Sequence, residues 1–125
     1  MMTFKEFYIV ENKENELENI INKYKDKDVK VSAYITKHND LTLSLIKISK
    51  ENRNKGLGSQ FMTELINFAD KYNIRILLSP SIDFGASSVN RLKSFYKRFG
   101  FIENKGKNKN FTINHTMYRN PENDL

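Results

Sequence analysis

Arg53-Asn54-Lys55-Gly56-Leu57-Gly58 joins a stretch with the two-residue period of a strand to one with the period of a helix. Upstream, Leu41, Leu43 and Leu45 alternate against Thr42 and Ser44, and the apolar positions then change phase to Ile46 and Ile48. This describes a strand over 41–49 whose buried face switches near Leu45-Ile46. Downstream, Phe61, Leu65, Phe68 and Ala69, with Met62 and Ile66 widening the stripe, give a helix running to about Tyr72. Two glycines at such a junction let the backbone tilt several N–H groups toward one point, and the helix start adds its own unpaired N–H groups and positive dipole end. The junction therefore reads as an anion cradle, with Arg53 and Lys55 beside it as point charges suited to a diphosphate. It is not a nucleoside-triphosphate loop, because the lysine precedes the glycines, nor a dinucleotide fingerprint, because the third glycine is missing. A plain helix start is the other reading.

Working outward, the Phe, Tyr, Ile and Val of residues 4–10 suggest a first strand. Leu17, Ile20, Ile21 and Tyr24 predict an amphipathic helix over about 13–25, which Lys25-Asp26-Lys27-Asp28 interrupts. Val29, Val31, Ala33 and Ile35 alternate as a half-buried strand and, across the turn at His38-Asn39-Asp40, form a hairpin with 41–49. Beyond the second helix, Ile74, Ile76, Leu77 and Leu78 make a short strand covered on both faces and ended by Pro80. Ser87 or Ser88 caps a third helix with Leu92, Phe95, Tyr96 and Phe99 on one face and Gly100 at its left-handed end. Residues 101–102 and 111–118 read as a last strand pair around a polar tip at 104–110, and Pro121 opens a frayed tail. The expected class is α/β: one domain over 1–125, with a mixed, partly antiparallel central sheet of about six strands flanked by about three helices.

With 125 residues, 38% hydrophobic and 12% aromatic, the chain has enough apolar material for one core. The formal charge of +6 favours an anionic partner. No cysteine is present, which excludes disulfides, a thiolate nucleophile and thiolate metal ligands. His38 and His115 stand far apart in sequence, so no metal site is expected. No apolar run suits a signal peptide or a membrane span, and a soluble cytoplasmic protein is expected.

Arg-x-x-Gly-x-Gly at 53–58, followed one helix, one strand and one loop later by Phe95-Tyr96-Lys97-Arg98-Phe99-Gly100-Phe101, resembles the paired motifs of the GNAT superfamily of N-acetyltransferases over 41–102. The resemblance implies a GNAT-like fold and an acetyl-CoA site. Its cofactor-binding residues would be Ile46, Lys47 and Ile48 on the strand and Arg53, Asn54, Lys55, Gly56, Leu57, Gly58 and Ser59 at the turn. It also implies that the pantetheine arm enters where the strands 41–49 and 74–79 splay apart. The chain departs from the family's pattern in having one helix before the hairpin where two are usual, and Val89 where an Asn often begins the later helix.

The implied reaction is direct transfer of acetyl from the thioester to a primary amine in a ternary complex. Tyr96 is the expected catalytic acid at the coenzyme sulfur, since a phenol can protonate a departing thiolate; the alternative is a core aromatic. A backbone N–H on 45–48 would polarise the carbonyl oxygen. No acid lies on 41–49; Asp40, Glu51, Asp83 and His115 are candidate bases, none is assigned, and an ordered water could serve instead. Lys105, Lys107 and Lys109 read as a solvated tip, with contact to an anionic substrate or the coenzyme's 3′-phosphate as the lesser reading. The acceptor would be a small-molecule or protein amine; an RNA-carried amine such as a charged tRNA is allowed but not favoured, a homodimer is compatible, and no membrane partner is expected. A non-catalytic module binding coenzyme A or nucleic acid is the competing class.

Overall fold

The computed structural model describes residues 4–53, 55–81 and 88–122. Its first element is helix α1, Phe4–Lys25, so residues 4–10 are helical and not the expected strand. Phe7 and Val10 stand in heptad phase with Ile21, Leu17 and Tyr24, and no glycine or proline interrupts the stretch between them. The helical period therefore extends back through the aromatic stretch and overrides its strand propensity. Asp28, at φ 61°, turns the chain out of the helix into β1, Val29–Ile35.

Strand β2, Asp40–Ile48, pairs antiparallel with β1 from Val29↔Ile48 to Ile35↔Leu41 across a turn in which Asn39 adopts φ 63°. The register slips where Ser32 pairs with Leu45 and Ala33 with Leu43, leaving Ser44 as an extra residue. That bulge is the physical origin of the phase change expected near Leu45-Ile46: Leu41 and Leu43 before it, and Ile46 and Ile48 after it, all pack against the main core.

Helix α2, Leu57–Lys71, crosses over to β3, Arg75–Leu78, which lies parallel to β2 from Asp40↔Arg75 to Leu43↔Leu78. Helix α3, Val89–Lys97, is capped by Ser88, whose Oγ accepts from Arg91 N at 3.0 Å, and Gly100 takes φ 92° beyond its end. Strands β4, Ile102–Glu103, and β5, Met117–Arg119, complete a sheet of order β1-β2-β3-β5-β4. Five strands are thus formed among the described residues, and of the expected 111–118 strand only 117–118 are strand. Asn104 explains the shortening: its Nδ2 donates to the carbonyls of Ile113 at 3.1 Å and His115 at 3.0 Å, which holds this segment as a loop.

Helices α1 and α2 lie on one face, where Leu17, Tyr24, Phe61, Met62, Leu65, Phe68 and Ala69 meet Leu41, Ile76, Leu78 and Met117. Burying a side chain such as Phe61 contributes on the order of 1.5–3 kcal/mol. A buried ion pair ties the last strand to α2: Arg119 donates to Asp70 at 2.8 and 3.2 Å and to the Phe99 carbonyl at 2.8 Å. Glu122 N also donates to Asp70 at 2.9 Å, so the expected frayed tail is docked at its start; residues 123–125 lie outside the described residues. The feature that prepares the site is an inequality of length. Pairing of β3 with β2 ends at Leu78↔Leu43, whereas β2 runs on to Ile48, so the two parallel strands part.

Candidate active site

Where the strands part, a narrow cavity of about 50 Å³ opens among Leu43, Ser44, Leu45, Leu78, Ser79 and Pro80, with Ile46, Leu92 and Tyr96 as further walls. Those last three also line a groove of about 660 Å³ between the second half of β2, the start of α2 and helix α3. Along β2, the ladder with β3 ends at Leu43, so the backbone groups beyond it on that side have no partner in β3.

Gly56 forms the turn into α2 at φ 76°, a conformation in which side chains are strained. Among the described residues no side chain caps this helix start and no acid lies in its first turn, so its N-terminal N–H groups and dipole are turned toward the groove without a charge of this turn to balance them. Gly58 keeps the wall thin. A Cβ there would lie 3.4 Å from Ile48 Cδ1 and 3.6 Å from Phe95 Cζ, both groove residues.

Tyr96 is 5% exposed, with its ring packed edge-on to Phe95 at 5.3 Å and Phe101 at 5.7 Å. Burial pushes its phenol up to about 12. Arg53, Arg91 and Arg98 supply the charge of the groove, and among the described residues no acid lines it. Arg53 is steadied by a 3.2 Å bond from Nε to the Ile48 carbonyl, and the Arg98 guanidinium stands 5.2 Å from the Phe95 ring centre.

Of the residues expected from the sequence, Ile46, Ile48, Arg53, Gly56, Leu57, Gly58 and Ser59 gather around the groove with Tyr96. Lys47 is exposed on β2 opposite Lys30, and Lys55 is exposed with Nζ donating to Asn52 Oδ1 at 3.1 Å; neither lines the groove. Asn54 lies outside the described residues. Arg91 and Arg98 were missed, although Arg91, Phe95 and Arg98 fall at i, i+4 and i+7 and so share one face of α3. Among the candidate bases, Asp40 is held bidentately by Arg75 at 3.1 and 3.0 Å, Glu51 is exposed beyond β2, and Asp83 lies outside the described residues. His115 sits in the β4–β5 loop, outside the linings of groove and cavity, as do Lys105, Lys107 and Lys109. His38 is exposed in the hairpin turn. Among the described residues no cluster of acids and histidines could hold a metal, and no helix is long and apolar enough to cross a membrane.

A bound ligand at this groove would need an anionic end for the arginines and helix N-terminus and a slender arm for the cavity; acetyl-CoA has both, and a Cβ at Gly58 would narrow the groove between Ile48 and Phe95. A family profile described as "Acetyltransferase (GNAT) domain" matches residues 2–120. Ard1 from Thermoplasma volcanium superposes with a TM-score of 0.51 at 18% identity, over 75% of this chain and 63% of that one. Naa50 from Arabidopsis thaliana, in complex with the bisubstrate analogue CoA-Ac-MVNAL, gives 0.46 at 15%, over 73% and 62%. A mutant AtaT toxin, bound to the C-terminus of the antitoxin AtaR and acetyl-CoA, gives 0.43 at 14%, over 74% and 55%. The chain thus spans about three fifths of the length of these structures, and at 18% identity the likeness to Ard1 bears on the fold alone. No curated protein matches it in sequence. The profile covers nearly the whole chain and the fold places both motifs around one groove, so the chain belongs to the GNAT acetyltransferase family, whose members use acetyl-CoA as their acyl donor.

Proposed function

We propose that this chain moves an acetyl group from acetyl-CoA to a primary amine by direct transfer, with both molecules bound together. The observation that carries the reading is that Tyr96 lines both the basic groove and the narrow cavity between the parted strands. Bound acetyl-CoA would supply an acyl group already activated as a thioester. The N–H groups at the start of α2, with Arg53, Arg91 and Arg98, hold its diphosphate. Backbone donors of β2 between Ser44 and Ile48 polarise the carbonyl oxygen as charge develops there.

Tyr96 Oη donates to the sulfur as it departs. At about 12 the phenol stays protonated throughout the working range, so the donor is always present. An ordinary thiol lies near 8.5, so the phenol keeps its own proton and stabilises the departing thiolate by a hydrogen bond. As the N–C bond forms and the C–S bond breaks, the proton released by the amine reaches the sulfur through water. No acid lines the groove or cavity among the described residues, which leaves water to take the amine's proton. That same absence supports the second reading, a module that binds coenzyme A without turnover.

Two measurements test the proposal. Acetyl-CoA at a hundred times its dissociation constant should stabilise the fold by about 2.7 kcal/mol in a melting experiment; no shift at millimolar ligand would remove the cofactor. Tyr96→Phe keeps the ring contacts with Phe95 and Phe101, so stability and coenzyme affinity should hold while kcat on an amine panel falls about 10²–10⁴-fold. Full activity across pH in that variant would make Tyr96 a packing residue only.

A further inference from the structure

Between Glu103 and Glu122 the chain contains no Asp or Glu. The loop 104–116 within this segment presents Lys105, Lys107 and Lys109, all exposed, and Phe111, which at 87% is the most exposed large apolar side chain among the described residues. Single exposed apolar residues are ordinary on protein surfaces. This one differs in how it is held. Asn104, 8% exposed, donates to the carbonyls of Ile113 and His115 and accepts from Asn110 N at 2.6 Å, and Tyr118 Oη donates to the Asn108 carbonyl at 2.5 Å. The loop is therefore braced from inside while an aromatic ring and three ammonium groups face water, with Lys109 Nζ 5.8 Å from the Phe111 ring centre.

The charge of this region is not cancelled. Glu103 is shared by Lys93 at 3.0 Å, Lys97 at 3.1 Å and Lys105 at 3.6 Å, which leaves a positive surplus even before Lys107 and Lys109 are added. The loop also lies at the reacting end of the sheet. Leu78, Met117 and Glu103 stand level across β3, β5 and β4, Thr116 N donates to Ser79 Oγ at 3.0 Å, and Ser79, Pro80 and Ser81 wall the narrow cavity.

We propose that loop 104–116 is a docking surface for single-stranded nucleic acid, with Phe111 stacking on an unpaired base and Lys105, Lys107 and Lys109 holding the adjoining phosphates. A duplex covers its base faces and offers Phe111 nothing to stack on, and an acidic peptide supplies the charge without the flat ring. The surface goes beyond the acetyl-transfer reading: it would bring a polyanion to the mouth of the cavity, and it stands or falls whether or not transfer occurs.

The test is fluorescence anisotropy of the whole chain, without coenzyme, against labelled ten-nucleotide oligo-U and oligo-dT at several salt concentrations. Binding is expected with a log–log salt slope near −2, from about 0.7 per phosphate neutralised by three lysines. Phe111→Ala should weaken it about 5- to 150-fold, the range for loss of one base stack. Replacing the three lysines together with glutamine should flatten the slope by about 2 while the melting temperature stays put. Stronger binding of the ribo-oligomer would identify RNA as the source, and stronger binding of the deoxy-oligomer DNA. The proposal is overturned if neither oligomer binds the folded protein at 50 mM salt, if Phe111→Ala leaves affinity unchanged, or if a duplex or a poly-glutamate peptide binds equally well. Displacement by coenzyme A would put the strand in the groove and overturn it too.

Discussion

Replacing Gly58 with alanine adds one methyl carbon, which would stand 3.4 Å from Ile48 Cδ1 and 3.6 Å from Phe95 Cζ. These are ordinary contacts, and Gly58 is not among the glycines with positive φ, so the fold can accept the methyl without moving the backbone. Alanine is favoured over glycine by up to about 1 kcal/mol inside a helix, and less in the first turn, so the melting temperature should hold or rise by a few degrees. The ligand is affected the other way. If phosphate approaches the start of α2 as proposed, the methyl covers part of its floor, and losing one hydrogen bond to a charged group costs about 1.5–3 kcal/mol, or roughly 10- to 150-fold in acetyl-CoA affinity. Calorimetric titration with acetyl-CoA, beside a melting curve without ligand, reads both effects. Unchanged affinity in a protein at least as stable as the parent would refute the placement of phosphate at this helix start. A loss of stability alongside affinity would show that the methyl collides with Ile48 or Phe95. Gly58→Val, with two further carbons pressing on the same neighbours, is expected to lose both.

Arg91→Ala and Arg98→Ala should each flatten the salt dependence of acetyl-CoA affinity, because they remove charge from the groove itself, whereas Lys47→Ala and Lys55→Ala should leave it as it was; titrations at several salt concentrations decide. Asp70→Asn leaves buried Arg119 with only the exposed Glu122 carboxylate at 3.8 Å and should lower stability by about 1–3 kcal/mol, measured by urea denaturation. Burial pushes the Asp70 carboxyl up, but hydrogen bonds from Arg119 and Glu122 N, with the Arg119 charge, outweigh it and hold the folded value below 3.8. The stability this contributes is therefore present above the unfolded value and lost as pH falls through the lower folded one, so the acid limb of a stability–pH curve should be shallower in Asp70→Asn below about pH 4.

Local period made the centre of the chain legible. Phe61, Leu65, Phe68 and Ala69 declare α2 by spacing alone, and Gly56 marks its start because few other residues suit its left-handed conformation. Residues 4–10 are ambiguous in sequence because their aromatic and β-branched composition favours a strand, while the heptad links that favour the helix, from Phe7 to Ile21 and from Val10 to Leu17 and Tyr24, span up to about four turns. The alternating apolar positions after Phe111 looked like a strand, and what cancels that pattern is a single side chain, Asn104, reaching from outside it. The glycine cradle was visible from composition, whereas Arg91 and Arg98 became part of the site only through the packing of α3 beside β2, which no local rule contains.

The extra residue at Ser44 divides β2 into two stretches with different duties. Before it, Leu41 and Leu43 are buried in the core, with Leu43 also walling the narrow cavity; after it, Ile46 and Ile48 still back onto that core but also floor the groove. Substitutions in the first stretch should register as changes in melting temperature, and those in the second as changes in ligand affinity. One strand can thus drift in specificity along half its length while the other half stays under constraint from folding, and the boundary between the two regimes is one serine wide.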